Sequence, residues 1–442
     1  LFISLGCDKN LADSEEMLGL LTGSGHEIVD SEEEADAIVV NTCCFIHDAK
    51  EESVNTILEM AEYKTSGSCK VLIVTGCMAQ RYKEEIIQEI PEVDAVLGTT
   101  SYGDIVKALN EAQAGNVFQE FRDINDLPED SGRRVITTGG HFGYLKIAEG
   151  CDKHCTYCII PSLRGKFRSV PEERLLKQAE YMASQGVKEL ILVAQETTVY
   201  GTDLYGKKTL NILLKKLCQI KGIRWIRILY CYPEEIYDEL IQVMKEEKKI
   251  CHYLDLPIQH ASDRILRRMG RRTSKAQLVD IITKLRREIP DIVLRTSLIT
   301  GFPGETEEDH QELMEFVDEM EFDRLGVFTY SPEEGTPAET MEGQVPEELK
   351  EERRDEIMEL QQEISLEKGD SRIGQELLVM IEGKVSGESA YIGRTYGDAP
   401  KVDGYIFVQT GELLVTGDFA KVKVTGALEY DLIGELADEY TE

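Results

Sequence analysis

Short apolar runs alternate with amphipathic stretches along the first hundred residues. The apolar runs lie at 1–5, 37–40, 71–74 and 95–98. Strands separated by helices are typical of βαβ units, which build a parallel sheet that is buried on both faces. The pattern therefore predicts an N-terminal α/β domain over residues 1–120. Residues 110–140 lack periodicity, and we place a linker at 121–139.

A second series of strands and helices follows the linker. Its apolar runs lie at 144–148, 190–194, 225–230, 253–258, 293–299 and 325–330. Helix-favouring stretches separate these runs, but six units are too few to close an eightfold barrel. The series predicts a partial (β/α) barrel over residues 140–368, with functional loops at the carboxyl ends of its strands.

The pattern changes again in the last seventy residues. After a charged, helix-favouring stretch at 346–369, short alternating strands are separated by glycine turns. This alternation is typical of an antiparallel sheet, and it predicts a small β-barrel of OB-like type over residues 369–442. The whole chain is thus expected to be an α/β protein with three domains.

Composition narrows the class of protein. Eighty-three acidic residues against 49 basic ones give a net charge of −34 in a chain of 442 residues. Such a chain repels phosphate backbones and attracts a basic partner, although a merely soluble surface would have the same composition. Without a run of about 18 apolar residues or a signal peptide, we expect a cytoplasmic protein that does not enter a membrane. Its eleven cysteines are then expected to be thiols or metal ligands rather than disulfides.

Three cysteines occupy equivalent positions in the N-terminal domain. Cys7, Cys43 and Cys77 each follow an apolar run and are spaced 36 and 34 residues apart. Parallel strands end at the same edge of a sheet, so the three thiols are expected to converge. Cys44 is expected to point the opposite way, and Cys69 to lie at the other edge. Three buried structural cysteines are the alternative.

A second cysteine triplet follows the first barrel strand. The stretch "EGCDKHCTYC" contains Cys151, Cys155 and Cys158 in the spacing C-x3-C-x2-C. Three thiolates on one short loop suit a [4Fe–4S] cluster in which one iron lacks a protein ligand. A structural zinc site would need a fourth ligand, and His154 is poorly placed for that role because it adjoins Cys155.

These motifs carry a resemblance to a known family. "GCDKHCTYC" at the mouth of a βα barrel resembles the radical S-adenosylmethionine (SAM) superfamily, with Tyr157 as the aromatic residue before the last cysteine. Together with the N-terminal cysteines, "NTCCFIHDAKEES", "RTSLITGFPGETEED" and "YSPEEGTPA" resemble the methylthiotransferase family along nearly the whole chain. That family has an N-terminal methylthiotransferase domain, a radical-SAM barrel and a C-terminal TRAM domain.

The resemblance implies both cofactors and chemistry. It implies SAM and two [4Fe–4S] clusters, one on each cysteine triplet and each with an open iron. The barrel cluster would donate an electron to SAM, and the resulting 5′-deoxyadenosyl radical would abstract a hydrogen from an unactivated carbon. The N-terminal cluster would hold or supply sulfur, and a second SAM would supply the methyl group. An electron donor and a sulfur source are implied as partners.

Other residues at strand ends are candidates for contacts with SAM. Gln195 and Glu196 follow the second barrel strand and Arg295 lies on the fifth, where their side chains would meet polar groups of SAM. Gly301 and Gly304 would allow the backbone to approach the cofactor closely. For each of these residues, ordinary loop geometry or solvation is an equal alternative.

The substrate is inferred from charge and from one further stretch. Members of the family modify either an adenosine in transfer RNA or an aspartate in a ribosomal protein. Residues 372–442 contain six basic and thirteen acidic residues, which disfavours an RNA-binding face, and "YIGRTYGDAPKVDGYIFV" resembles the ribosomal-protein branch. We expect methylthiolation at the β-carbon of an aspartate in the twelfth protein of the small ribosomal subunit. A transfer RNA methylthiotransferase and a non-catalytic iron–sulfur carrier are the alternatives.

Overall fold

The computed structural model describes residues 1–129 and 132–437. Within them, the N-terminal domain has a parallel sheet with strand order β1-β2-β3-β4-β5. The strands are β1 (Phe2–Ser4), β2 (Ala37–Thr42), β3 (Val71–Gly76), β4 (Ala95–Leu97) and β5 (Phe118–Glu120). The helices are α1 (Asp8–Gly23), α2 (His47–Ser66), α3 (Cys77–Tyr82), α4 (Glu84–Glu89) and α5 (Ile105–Gln113). The predicted N-terminal α/β fold is confirmed.

Alternate residues of this sheet pack on opposite sides. Ile38 and Val40 of β2 belong to one hydrophobic cluster, which includes Ile57 of α2. Val39 between them belongs to a second cluster, which includes Met17 of α1. The period of two in a strand sends neighbouring side chains to opposite faces, so a continuous apolar run serves both layers of helices.

The region at 110–140 departs from the prediction. β5 lies inside it and pairs in parallel with β4, although no apolar run marks it. Gln119 and Glu120 make it a polar edge strand, and a strand that is buried on one side only needs few apolar residues. The predicted linker at 121–139 includes residues 130 and 131, which lie outside the described residues. Its later part is held on α1, because Glu15 accepts hydrogen bonds from Arg134 (2.8 Å) and Thr137 (2.7 Å).

The central domain is an open, parallel sheet with the strand order β6-β9-β10-β11-β12-β13. Its strands are β6 (Phe142–Lys146), β9 (Glu189–Val193), β10 (Trp225–Ile228), β11 (Ile250–Asp255), β12 (Val293–Thr300) and β13 (Arg324–Thr329). A small antiparallel pair, β7 (Ala148–Glu149) and β8 (Arg168–Ser169), lies after β6. β6 and β13 are the two edges of this sheet in the described chain, so the predicted partial barrel is confirmed.

The helices of the central domain mostly pack against the partial barrel, whereas Leu163 of the first one joins a hydrophobic cluster of the N-terminal domain. They are α6 (Ile160–Arg164), α7 (Glu172–Ser184), α8 (Thr202–Tyr205), α9 (Leu210–Leu217), α10 (Asp238–Glu246), α11 (Asp263–Arg268), α12 (Lys275–Glu288), α13 (Glu307–Met320) and α14 (Glu347–Asp370). Short 3-10 helices occur at Tyr102–Asp104, Pro233–Glu235 and Pro337–Thr340. None of the described helices has the length and apolar character needed to cross a membrane.

The C-terminal domain is a closed barrel with the strand order β14-β15-β16-β18-β17. Its strands are β14 (Glu376–Lys384), β15 (Ala390–Thr395), β16 (Ile406–Gln409), β17 (Phe419–Ala427) and β18 (Leu432–Leu436). The pairs are antiparallel except β16 with β18, which is parallel. The small barrel is therefore confirmed, with one strand, β18, that the sequence pattern did not predict. Residues 438–442 of the predicted domain lie outside the described residues, and the boundaries at 120, 140 and 368 stay predictions.

The C-terminal barrel packs into the inner face of the partial barrel. Phe142, Trp225 and Val293, the first residues of β6, β10 and β12, share a hydrophobic cluster with Met380 and Phe419. The rings of Trp225 and Phe419 meet edge to face with their centroids 4.8 Å apart. The small barrel thus closes the amino end of the strands and leaves the opposite end for the functional loops.

An ion-pair cluster without solvent contact joins the same two domains. Glu189 on β9 pairs with Arg227 on β10 at 2.7 Å and with Arg394 on β15 at 2.7 Å, and all three side chains are completely buried. A buried charge is tolerated only when it is paired, so each member depends on the others.

Glu189→Ala should strongly destabilise the protein. The substitution removes the carboxylate that pairs with both Arg227 and Arg394 and leaves their buried positive charges less compensated. We therefore expect the free energy of unfolding to fall by about 3–5 kcal/mol. Urea titration followed by tryptophan fluorescence measures this loss, because Trp225 lies in the same interface. Glu412→Ala, at an exposed residue of the C-terminal barrel, is the matched control. Equal unfolding midpoints for the two variants would contradict the prediction.

Candidate active site

The register of the N-terminal sheet brings the first cysteine triplet to one edge. Thr42 pairs with Gly76, so Cys43 and Cys77 leave neighbouring strands side by side. β1 pairs with β2 on its other side, and the chain turns at Gly6, which has a φ of 84°. A Cβ atom at Gly6 would lie 2.9 Å from the Cys43 sulfur. The loop that leads to Cys7 therefore passes directly over Cys43.

The electrostatics of the thiols also reflect this convergence. Burial, together with the neighbouring thiolates of Cys77 and Cys7, raises the pKa of Cys43 to about 12. Burial likewise raises the pKa of Cys77. Thiols of this kind stay neutral unless a cation compensates their charge, and bound iron supplies such compensation. The donor set fits an iron–sulfur cluster.

The neighbouring cysteines have different surroundings. Cys44 has no exposed surface and belongs to the hydrophobic cluster beside α2, in which Cys43 takes no part. The Cys69 sulfur lies 3.3 Å from the carbonyl of Val71, before β3 begins. Cys44 is thus packed in the core and Cys69 lies at the opposite edge of the sheet.

The second triplet lies on the loop between β7 and α6. His154 has a φ of 51°, so the backbone reverses direction between Cys151 and Cys155. Burial, together with thiolates at Cys155 and Cys151, raises the pKa of Cys158 to about 12. The His154 side chain is exposed, whereas Cys151 and Cys155 are buried. Cys158 is half-buried, so the loop encloses its cysteines while the histidine stays in solvent.

The two triplets offer thiols as their donors. Among the described residues, no three His, Cys, Asp or Glu side chains surround one metal-ion position. In a [4Fe–4S] cluster each cysteine binds a different iron, and thiolate is the ligand that such clusters use.

A buried guanidinium connects the two triplets. Arg164, the last residue of α6, extends from the second triplet's loop to the N-terminal domain. Its Nη2 lies 3.6 Å from the Cys77 sulfur, and its Nη1 donates to Asp13 at 2.8 Å. The same Nη1 lies 3.5 Å from Glu149, and Lys146 pairs with both carboxylates. This network fixes the N-terminal sheet against the mouth of the barrel.

The loop after β10 contacts Cys155 and the residue next to Cys7. The Tyr232 hydroxyl lies 3.8 Å from the Cys155 sulfur. The Tyr230 hydroxyl donates to Asp8 at 3.4 Å, next to Cys7. Burial raises the pKa of Tyr230, and the charges of Asp8 and Cys7 would raise it further. Two tyrosines that are separated by one residue therefore border both sets of thiols.

Unpartnered polar atoms surround the second triplet at the carboxyl end of the barrel. Oε1 of Gln195, Oε2 of Glu196 and the Nε and Nη1 atoms of Arg271 are buried without a hydrogen-bond partner among the described residues. Burial raises the pKa of Glu196 to about 7. Lys153 lies 3.9 Å from Glu196, and the Arg271 guanidinium lies 4.3 Å from the Tyr232 ring centroid. Acceptors and donors that lack partners are features of a site for a polar ligand.

The remaining predicted residues already have protein neighbours. The Tyr157 ring meets the Phe302 ring edge to face at 6.4 Å between centroids. Arg295 pairs with Asp255 at 2.8 Å and with Asp403 of the C-terminal barrel at 3.3 Å. Gly301 and Gly304 have φ values of 69° and 84°, and their α-carbons face Lys350 and Arg268. Contact of these four residues with SAM stays a prediction.

The sequence reasoning did not identify several residues of the site. Arg164, Arg271 and Lys153 act across loops or domains, and no local pattern distinguishes them. The alternation of Tyr230 and Tyr232 beyond the end of β10 was the one available signal, because such side chains face the mouth of a barrel.

Three family models match consecutive parts of the chain. The family described as "Uncharacterized protein family UPF0004" matches residues 1–98, the radical SAM superfamily matches 145–317 and the TRAM domain matches 373–437. The second match implies a [4Fe–4S] cluster and SAM as cofactors.

Solved structures share the fold at low sequence identity. The radical SAM methyltransferase TsrM from Kitasatospora setae gives a TM-score of 0.51 at 13% identity, covering 69% of this chain and 64% of its own. The cobalamin-dependent radical enzyme OxsB gives 0.50 at 14% identity, covering 81% of this chain and 56% of its own. These likenesses support the fold alone.

Full-length relatives are much more similar. The ribosomal protein uS12 methylthiotransferase RimO of Lachnoclostridium phytofermentans is 66% identical over 433 residues, which cover 98% of each chain. The RimO protein of Clostridium perfringens is 52% identical, over 99% of this chain and 98% of its own. The predicted resemblance is confirmed, and the chain belongs to the RimO family of radical-SAM methylthiotransferases.

Proposed function

We propose that this protein transfers a methylthio group to the β-carbon of an aspartate in ribosomal protein uS12. One SAM would be the source of the radical and a second SAM the methyl donor. The proposal rests on one observation above all, namely that one loop contacts both cysteine-bearing segments, through Tyr232 at the Cys155 sulfur and through Tyr230 at Asp8, the neighbour of Cys7. Thiol sets that border the same loop suit a reaction in which a short-lived carbon radical must meet sulfur.

The two triplets would hold one cluster each. Cys151, Cys155 and Cys158 would bind the first, and Cys7, Cys43 and Cys77 the second. When bound, these clusters supply the electron that cleaves SAM and the site that carries sulfur, and the chain must also receive electrons and sulfur from external donors. The protein contributes position, charge compensation and exclusion of water.

The unpartnered atoms at the barrel mouth would orient SAM. The oxygens of Gln195 and Glu196 accept hydrogen bonds, and the SAM ammonium and ribose hydroxyls offer donors. Arg271 offers two free donors, which suit the SAM carboxylate. Tyr157, Arg295, Gly301 and Gly304 would complete the pocket. Binding of SAM would then give hydrogen-bond partners to buried polar atoms, which are costly to leave without them.

The charge of the protein supports a ribosomal protein as substrate. The net charge of −34 favours docking of a basic polypeptide and disfavours docking of RNA. The relatives that match the whole chain are named for uS12. An enzyme that acts on a ribosomal protein would work in the cytoplasm.

The reconstituted enzyme should modify uS12 and not transfer RNA. With SAM, a reductant and sulfide under anaerobic conditions, we expect one methylthio group to replace one hydrogen on a uS12 aspartate. Tandem mass spectrometry locates the group, and unmodified transfer RNA treated in parallel is the control. An adduct that forms on transfer RNA and not on uS12 would refute the proposal, as would SAM that stays intact under these conditions.

Substitutions at the adjacent cysteines should have opposite effects on iron content. Cys43→Ala removes a ligand of the second cluster, so the reconstituted protein should lose roughly half of its iron and all methylthiolation, while it still cleaves SAM. Cys44→Ala is the matched control, because its sulfur is packed in the core. This variant should keep the iron of both clusters. Loss of iron from Cys44→Ala alone would show that the assignment of ligands is wrong.

Affinity for SAM should depend on pH through Glu196. Its pKa of about 7 means that the carboxyl is protonated in mild acid, and a cationic ligand must then displace the proton. We expect the affinity to fall by about tenfold for each pH unit below neutrality. Glu196→Gln should remove this dependence, and Glu239→Gln at an exposed position should keep it. Calorimetry with the reconstituted protein tests this, and equal slopes for both variants would exclude the role of Glu196.

A further inference from the structure

Lys9 is a buried lysine without a carboxylate partner. It lies in the first turn of α1, two residues after Cys7, and only 8% of its surface is exposed. Its ammonium nitrogen lies 3.2 Å from the centroid of the Tyr230 ring. No hydrogen bond or ion pair of this ammonium is found in the part of the chain that the structure describes. The ring faces one side of the cation, so donors remain on the other.

The surroundings of this ammonium suit an incoming anion. The Tyr230 ring covers one side of the cation and leaves its other donors available. The first turn of a helix is also the unfavourable end of its dipole for a cation. The adjacent carboxylate of Asp8 accepts from the Tyr230 hydroxyl instead of pairing with Lys9. Among the described residues, Lys9 is therefore a cation without an ion-pair partner.

The position of Lys9 relates it to both thiol sets. Tyr230 has a left-handed backbone conformation with a φ of 60°, which is uncommon for a tyrosine. Its amide donates to Asp255 at 3.0 Å and its carbonyl accepts from the amide of Thr197 at 3.1 Å. Non-glycine residues with such strain persist where their surroundings hold them and where function requires it. The Tyr230 ring, which the Lys9 ammonium contacts, is thus held in a fixed position near Cys7. It lies on the loop that also reaches Cys155.

We propose that Lys9 binds the side-chain carboxylate of the substrate aspartate. This inference rests on the proposed function and adds the residue that distinguishes aspartate from its neutral analogue. A charge-assisted hydrogen bond from Lys9 would anchor the carboxylate and leave the adjacent β-carbon facing the space between the thiol sets. Lys9 is a specificity-determining residue that supplies the positive charge and takes no part in proton or electron transfer.

The test compares two substrates and two lysines. The substrates are uS12 and a uS12 variant with asparagine at the modified position. The enzymes are reconstituted full-length wild type, Lys9→Met and the control Lys107→Met, whose lysine is exposed and lies 5.0 Å from the Phe118 ring. Fluorescence anisotropy measures binding of labelled substrate, and iron content reports whether each variant assembles. Initial rates with the aspartate form separate KM from kcat.

We expect wild type and Lys107→Met to bind the aspartate form about tenfold or more tightly than the asparagine form. Lys9→Met should bind both forms equally, and its KM should rise by at least about tenfold while its iron content is unchanged. Lys9→Arg, which keeps the charge, should restore part of the preference for aspartate.

Two outcomes would overturn the role of Lys9. One is a full preference for aspartate in iron-replete Lys9→Met. The other is wild-type enzyme that modifies uS12 but binds both substrate forms equally, which needs no variant and does not depend on the folding of Lys9→Met. Wild-type enzyme that leaves uS12 unmodified and modifies transfer RNA would instead refute the proposed function, so the two failures are distinguishable.

Discussion

A buried guanidinium fixes the N-terminal sheet relative to the loop that carries the second cysteine triplet. Arg164 is carried by the short helix that follows the second cysteine loop, and it reaches the Cys77 sulfur in the other domain. A charge in this position is stable only because Asp13 and Glu149 pair with it. The loop with Cys151, the sheet with Cys77 and the first strand of the barrel are therefore fixed relative to one another by charges that must stay together.

The fold was largely predictable because its strands are continuous apolar runs. Residues 71–74 and 190–194 serve two layers each, so they contain little besides valine, leucine, isoleucine and alanine. β5 and β18 were not predicted, because neither is a continuous apolar run. The first is a polar edge strand, and in the second Gly434 and Glu435 interrupt the apolar residues.

The positions of site residues were predictable where strand geometry determines them. They were not predictable where the packing of one domain on another determines them. The carboxyl end of a parallel strand has a known location, which is sufficient to group Cys7 with Cys43 and Cys77. Lys9 has no such signature, because a lysine in the first turn of a helix is ordinarily solvated. Only the approach of Tyr230 from the barrel makes it a buried cation. Interactions between domains depend on which surfaces meet, and a single sequence does not reveal this.

The position of the C-terminal barrel gives that domain a structural role inside the enzyme. Such a domain at the end of a chain is readily imagined as a detachable arm that captures a substrate. Here its Met380 and Phe419 cover the aromatic inner face of the partial barrel, and its Asp403 pairs with Arg295 on β12. Removing it would uncover Phe142 and Trp225 and release a strand arginine. The domain therefore closes the amino end of the partial barrel, and its sequence is constrained by this internal interface as much as by any partner.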